Sequence, residues 1–304
     1  MTEELFASPG APLLRDPQDE RVGSLPEAEE IALLGVPWDW GITGRPGARE
    51  APARIRSTLY SMRPFAPDWG RLERKPVDLG DVRIAPGDWE LTSRRVRLAL
   101  DRTYGARRLT IILGGDHSIS EWTISPLLEG GTLGLLLLDA HYDMRSTSEG
   151  HTSGSWLWNL YTRYKEKLQA SIVGVAPYAN PSYLHERALE AGFHVVSSVR
   201  ALRDPQSWRE AIRVLEQEGL DNYYVSIDVD HLDQAYAPGV NSPSPLGLPP
   251  AVSLEIVEEA VSRLCPRGVD IVEVVPAHDV EGSTVRAASV LVLRALQVYE
   301  EECL

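Results

Sequence analysis

Short, continuously apolar runs recur along the chain, each standing before glycine, proline, serine or aspartate: EIALLGVP from Glu30, TIILGGD from Thr110, LGLLLLDAH from Leu133, SIVGVAP from Ser171, FHVVSS from Phe193, YYVSIDVD from Tyr223 and IVEVVP from Ile271. Stretches this short and unbroken suit strands buried on both faces, as in a parallel sheet. Between them lie longer mixed segments with apolar residues at helical spacing, such as SRRVRLALDRTYGA from Ser93, QSWREAIRVLEQEG from Gln206 and SLEIVEEAVSRL from Ser253. The alternation predicts an α/β fold with a three-layer, doubly wound, mainly parallel sheet. Ser93 and Ser253 are expected as helix N-caps, Gly219 as a helix stop, and the segment from Ser283 to Leu304 as a closing helix. No repeat or low-complexity tract interrupts the pattern. One domain is expected over residues 1–304, with 1–28 as an N-terminal extension and the Pro/Gly-rich stretches 37–52 and 237–250 as active-site loops.

Polar groups gather where three of these runs end. Gly114-Gly115-Asp116-His117-Ser118 follows the run from Thr110, Asp139-Ala140-His141-Tyr142-Asp143 follows the run from Leu133, and Asp228-Val229-Asp230 closes the run from Tyr223. Open α/β sheets bind ligands at the carboxyl ends of their strands. Residues i and i+2 of an extended backbone point the same way, so Asp139, His141 and Asp143 are expected to converge, as are Asp228 and Asp230. Singly, each cluster has an ordinary explanation: a turn, a helix cap from Asp116 or Ser118, or solvated edge acids. Three together mark a site. Four carboxylates and two imidazoles exceed the donor set of one structural zinc and suit hard octahedral ions, manganese among them. If Asp139 and Asp228 bridge, six side chains suffice for two metals that share a water and activate it for hydrolysis.

Composition narrows the partners. With 304 residues, 43% hydrophobic and 24% charged, the chain can bury a large core, and a net charge of -14 opposes binding to nucleic acid or an anionic membrane. Cys265 and Cys303 are the two cysteines, and a disulfide framework is not expected from them. The start, MTEELFASPGAP, carries acids where a signal peptide carries basic residues, and no apolar run spans a bilayer, so a cytoplasmic location is expected.

The strings GGDHS, DAHYDMR, SIDVDHLDQAYAPG and EVVPAHD resemble, in order and rough separation, the signatures of the ureohydrolase family of arginase, agmatinase and formimidoylglutamase. GVPWDWGITGRPGAREAPARIR from Gly35 and DLGDV from Asp78 look like that family's N-terminal signatures, so the likeness spans residues 35–295. It implies an arginase-type sheet and two manganese ions per subunit. His117, Asp139, Asp143 and Asp228 would hold one ion, and His141, Asp139, Asp228 and Asp230 the other. Glu273 would pair with a substrate's cationic amidino head, and Asp143 would relay a proton to the leaving nitrogen. Asp116 and Asp233, beside ligands, are candidates to orient them.

In the loop EGHTSGSW, His151 is a candidate for the family's proton-shuttling histidine, unless Ser153 takes that place in the alignment. Arg145, ending DAHYDMR, would hold a substrate carboxylate, as in formimidoylglutamases, with Ser153 beside it. GSWLW departs from the resembled family, which usually has a threonine and a proline near there, and Trp156 and Trp158 are expected either to wall the pocket or to fill the core. Formiminoglutamate, yielding glutamate and formamide, is the expected substrate. Agmatine or a guanidino acid such as guanidinobutyrate, releasing urea, is the alternative. The resemblance also implies a homo-oligomer, trimer or hexamer, acting on a small molecule. Two rival classes are a binuclear phosphoesterase, whose Gly-Asn-His element is missing here, and a metal-binding paralogue without turnover.

Overall fold

The computed structural model describes residues 19–148 and 150–304, so most of the expected N-terminal extension lies outside the described residues. Strand β1 (Glu27–Val36) leads to helix α1 (Ala51–Ser61), the small antiparallel pair β2 (Phe65–Ala66) and β3 (Gly70–Arg71), then β4 (Lys75–Asp81), α2 (Trp89–Ala106), β5 (Leu109–Gly114) and α3 (Ser120–Gly130). β6 (Leu133–Leu138), α4 (Trp156–Tyr164), β7 (Leu168–Val175), α5 (Ser182–Glu190), β8 (His194–Ser197), α6 (Ser198–Arg203) and α7 (Pro205–Gln217) follow. The chain finishes with β9 (Asn222–Asp228), α8 (Pro250–Leu264), β10 (Gly268–Val272) and α9 (Ser283–Glu302).

Eight strands form one parallel sheet in the order β4-β1-β5-β10-β9-β6-β7-β8. The unbroken apolar runs are explained by its two covered faces. In β5, Leu109, Ile111 and Leu113 face the core beneath α1, α7, α8 and α9, while Ile112 joins the opposite core under α2, α3, α4 and α5. Helix α7 shows how the layers attach: Trp208, Ala211, Ile212 and Leu215 recur at helical spacing and are buried. Each large side chain buried in this way contributes roughly 1.5–3 kcal/mol.

Three expectations need correction. Asp88 accepts from Leu91 N and caps α2, so Ser93 lies inside that helix. Ser253 lies inside α8, where its hydroxyl meets His231 Nε2 at 2.7 Å. Cys265 ends α8 in a left-handed conformation (φ 41°) and is disulfide-bonded to Cys303, with a Cα–Cα distance of 5.6 Å. Their separation of 38 residues gave no sign of this, because it is the packing of α8 alongside α9, C-terminal end to C-terminal end, that brings them together. Gly219, at φ 60°, follows α7 as expected. Among the described residues, no helix is long and apolar enough to cross a membrane.

Candidate active site

The four central strands β5, β10, β9 and β6 bring their carboxyl ends side by side, and every expected ligand lies there. After β5 the chain turns sharply at Gly115, where a Cβ would lie 1.7 Å from Trp38 O, and Asp116 N donates to that same carbonyl at 2.8 Å. The turn delivers His117, fully buried. Its Nδ1 faces Asp228 Oδ2 and Asp143 Oδ2 at 3.0 Å each and Asp139 Oδ2 at 3.3 Å. Its Nε2 lies 2.9 Å from Ser226 Oγ, which donates to Asp270 Oδ1 at 2.6 Å. That chain of contacts fixes the ring's orientation.

Asp139 also meets a second group. Its Oδ1 lies 3.5 Å from His141 Nδ1, which is 3.0 Å from Asp230 Oδ2. Two donor clusters result, His117 with Asp139, Asp143 and Asp228, and Asp139 with His141 and Asp230, so Asp139 is shared. By ligand-atom distances Asp228 groups with the first cluster, and its Oδ1 accepts Asp230 N at 2.8 Å, capping the 3-10 turn Val229–His231. Simple alternation is not what gathers Asp139, His141 and Asp143: β6 stops at Leu138, and Asp143 has φ 50°, a left-handed conformation uncommon outside glycine but one that aspartate adopts more readily than most residues.

Among the described residues, the ion pairs of these acids are with His117 and His141. Burial depresses the His141 imidazole, but Asp230 and Asp139 outweigh it and push it up to about 12. His117 is also raised, against burial, by Asp139, Asp143 and Asp228. Burial, with Asp139 adding to it, lifts Asp143 to about 6, and burial with Asp230 lifts Asp228 far above the carboxylate range. Asp139, which burial would raise, is held below that range by the two imidazoles. Acids packed so closely call for positive charge. Asp139 Oδ2 is buried with no hydrogen-bond partner, and the donor set is rich in oxygen with two nitrogens, so the residues fit hard divalent ions.

A cavity of about 440 Å³ opens above the cluster, lined by His141, Asp143, Asp228, Asp230 and Glu273 at its base and by Thr43, Arg145, Ser153, Asn180 and Ser242 towards its mouth. Glu273 follows β10 at φ 66° and is tied down by Glu273 N to Gly115 O at 2.9 Å. Its Oε1 accepts His117 N at 2.7 Å, while Oε2 is buried without a partner. Burial and the nearby Asp116 raise this carboxyl well above its usual range.

The sequence profile of the arginase family matches residues 29–297. The chain belongs to the arginase family. It is 32% identical over 296 residues to a formimidoylglutamase of Halobacterium salinarum, covering 93% of this chain and 95% of that protein. It is 32% identical over 290 residues to the mitochondrial guanidino acid hydrolase of Homo sapiens, covering 90% and 80%. The crystal structure of formimidoylglutamase from Bacillus subtilis superposes with a TM-score of 0.90 at 26% identity, covering 99% of this chain and 98% of that one. The arginase fold thus agrees with the doubly wound parallel sheet expected from the apolar runs.

Not every candidate arrives at this arginase-family cavity. His151 stacks on Trp89, with ring centroids 4.3 Å apart, and its Nδ1 is 3.1 Å from Glu121 Oε2, so its ring lines a different surface groove and not the cavity. The proton-carrying place expected of it is therefore corrected. Ser153 does line the cavity, held by Ser153 N to Gly41 O at 2.7 Å. Arg145 stands exposed at the mouth. Asp116 accepts from Ser118 N and Gly41 N, and Asp233 accepts from Ala235 N, so both acids brace backbone and not imidazoles. Trp156 is fully buried and forms no part of the cavity lining, and Trp158 lies beneath the Arg187 guanidinium at 4.1 Å. Sequence reading missed Ser226 and Asp270. Ser226 stands two residues before Asp228 on a strand, and Asp270 is a lone acid in an apolar strand, and both patterns were available signals.

Proposed function

We propose that the protein is a manganese-dependent hydrolase of formiminoglutamate, cleaving a C–N bond with water to give glutamate and formamide. The arginase family to which it belongs consists of hydrolases acting on C–N bonds of linear amidines. The observation that carries the proposal is the pair of donor clusters sharing Asp139 beneath a cavity that holds a free Glu273 oxygen at its base and Arg145 at its mouth.

His117, Asp139, Asp143 and Asp228 would hold one manganese ion, and Asp139, His141 and Asp230, with Asp228 as a second bridge, the other. Two such ions would lower the pKa of a water enough that hydroxide is available at neutral pH to attack a trigonal carbon. Glu273 Oε2 accepts a charge-assisted hydrogen bond from the cationic formimino head and fixes the carbon over the cluster. The Asp143 carboxylate takes the proton given up by the water and passes it to the departing nitrogen. At the other end of the cavity the Arg145 guanidinium binds a substrate carboxylate in a two-pronged contact, beside the Ser153 hydroxyl. An agmatine tail, being cationic, meets repulsion there.

A guanidino acid also presents one amidino head and one carboxylate, and the 32% identity to the human guanidino acid hydrolase favours this as the second reading. A product assay on manganese-loaded protein with formiminoglutamate, agmatine, arginine and guanidinobutyrate separates the two. Formamide from the first compound alone supports the proposal, whereas urea from a guanidino compound replaces the substrate and keeps the site.

A further inference from the structure

We infer that Trp156 is a positioning residue for one half of the metal cluster, an inference that rests on the reading of that cluster as a two-ion site. The indole Nε1 donates to Asp143 Oδ2 at 2.7 Å, and the indole ring lies against the His117 imidazole, with centroids 4.7 Å apart and planes inclined by 38°. Asp143 Oδ2 is the same oxygen that faces His117 Nδ1 at 3.0 Å. One side chain therefore sets both the rotation of a carboxylate and the face of an imidazole in the first cluster. It makes neither kind of contact with His141 or Asp230 of the second.

The backbone around it supports the same role. Asp143 O accepts from Leu157 N at 3.2 Å and from Trp158 N at 3.3 Å, so the first turn of α4 grips the left-handed Asp143 through its main chain while Trp156 grips its side chain. A donor on an indole buried in this protein is not ordinarily used in this way. The indole nitrogens of Trp38, Trp122 and Trp208 are buried without a partner, whereas that of Trp156 is committed to a carboxylate.

The test is the number and affinity of manganese ions bound, read by equilibrium dialysis of manganese alone against wild-type protein and Trp156→Phe, which keeps an aromatic ring on His117 and removes the donor. Wild type is expected to bind two ions. The variant should keep one at wild-type affinity and bind the other about 10–100-fold more weakly, with turnover restored as manganese is raised. Wild-type affinity for both ions in a folded Trp156→Phe overturns the inference, as does equal weakening of both accompanied by a lower melting temperature. Trp156→Met serves as a second variant, and failure of both to fold assigns the residue to packing. A wild-type protein that binds no manganese instead refutes the two-ion reading itself.

Discussion

The two ends of the cavity are built differently. At the base, Asp143, Asp228, Asp230 and Glu273 are buried at or just beyond strand ends, packed over the fully buried His117 and Asp139. At the mouth, Thr43, Arg145 and Ser242 are exposed residues on loops. A sheet fixes what it carries to a fraction of an ångström, whereas loops accept substitution and change of length. On the proposed reading, the base would determine what kind of bond is broken and the mouth which molecule is taken. That the chain resembles both a formimidoylglutamase and a guanidino acid hydrolase at 32% identity is what such a division produces.

The largest expected effect lies at the base. Asp139→Ala removes the one residue common to both donor clusters. It should abolish binding of both ions and lower turnover by at least about a thousandfold, several kcal/mol of transition-state stabilisation. Asp228→Ala sharpens the point: loss of both ions makes it a second bridge, and loss of one confines it to the first cluster. An Asp139→Ala protein with full metal content and rate would refute the shared-ligand assignment.

Glu273→Gln tests the boundary between base and mouth. Metal content should stay at the wild-type level while kcat/KM falls about a hundredfold, because an uncharged amide no longer stabilises the cationic head. Loss of metal in that variant would instead make Glu273 part of the ion site. At the mouth, Arg145→Ala should raise KM for formiminoglutamate about tenfold or more and leave kcat within about threefold, the signature of lost carboxylate binding. A variant with unchanged KM would remove Arg145 from substrate recognition.

His151→Ala should have the smallest effect, with kcat within about twofold of wild type, as for a surface substitution. Its ring is stacked on Trp89 and paired with Glu121, away from the cavity. A hundredfold fall in kcat with an altered pH profile would show instead that the loop carries it to the substrate.

The base was legible in the sequence because the same constraint shaped both. Strands buried on two faces read as continuous apolar runs, and the polar residues that interrupt them at their ends have a reason to be there. Strand β4, KPVDLGD, escaped that reading because it is an edge strand whose polar residues are partly exposed. Asn180 at the mouth carried no signal, for a lone asparagine in a loop looks like any turn residue. His151 shows the converse: its place in the sequence suggested chemistry, but Trp89 and Glu121, far away in sequence, hold it elsewhere. The disulfide was invisible for the same reason, since its partners meet only through helix packing.

The order of the strands has a consequence for how the protein comes into being. β10 is the last strand of the chain, yet it sits in the middle of the sheet, between β5 and β9. Until it is in place, β4-β1-β5 with His117 and β9-β6-β7-β8 with the aspartates are two unjoined halves, neither holding a complete first cluster. During synthesis nearly nine-tenths of the chain must emerge before the halves can close, and pairings so distant in sequence form slowly. The first donor cluster is therefore complete only once the final strand has been inserted, so the most sequence-distant pairing of the sheet is also the one on which the site depends.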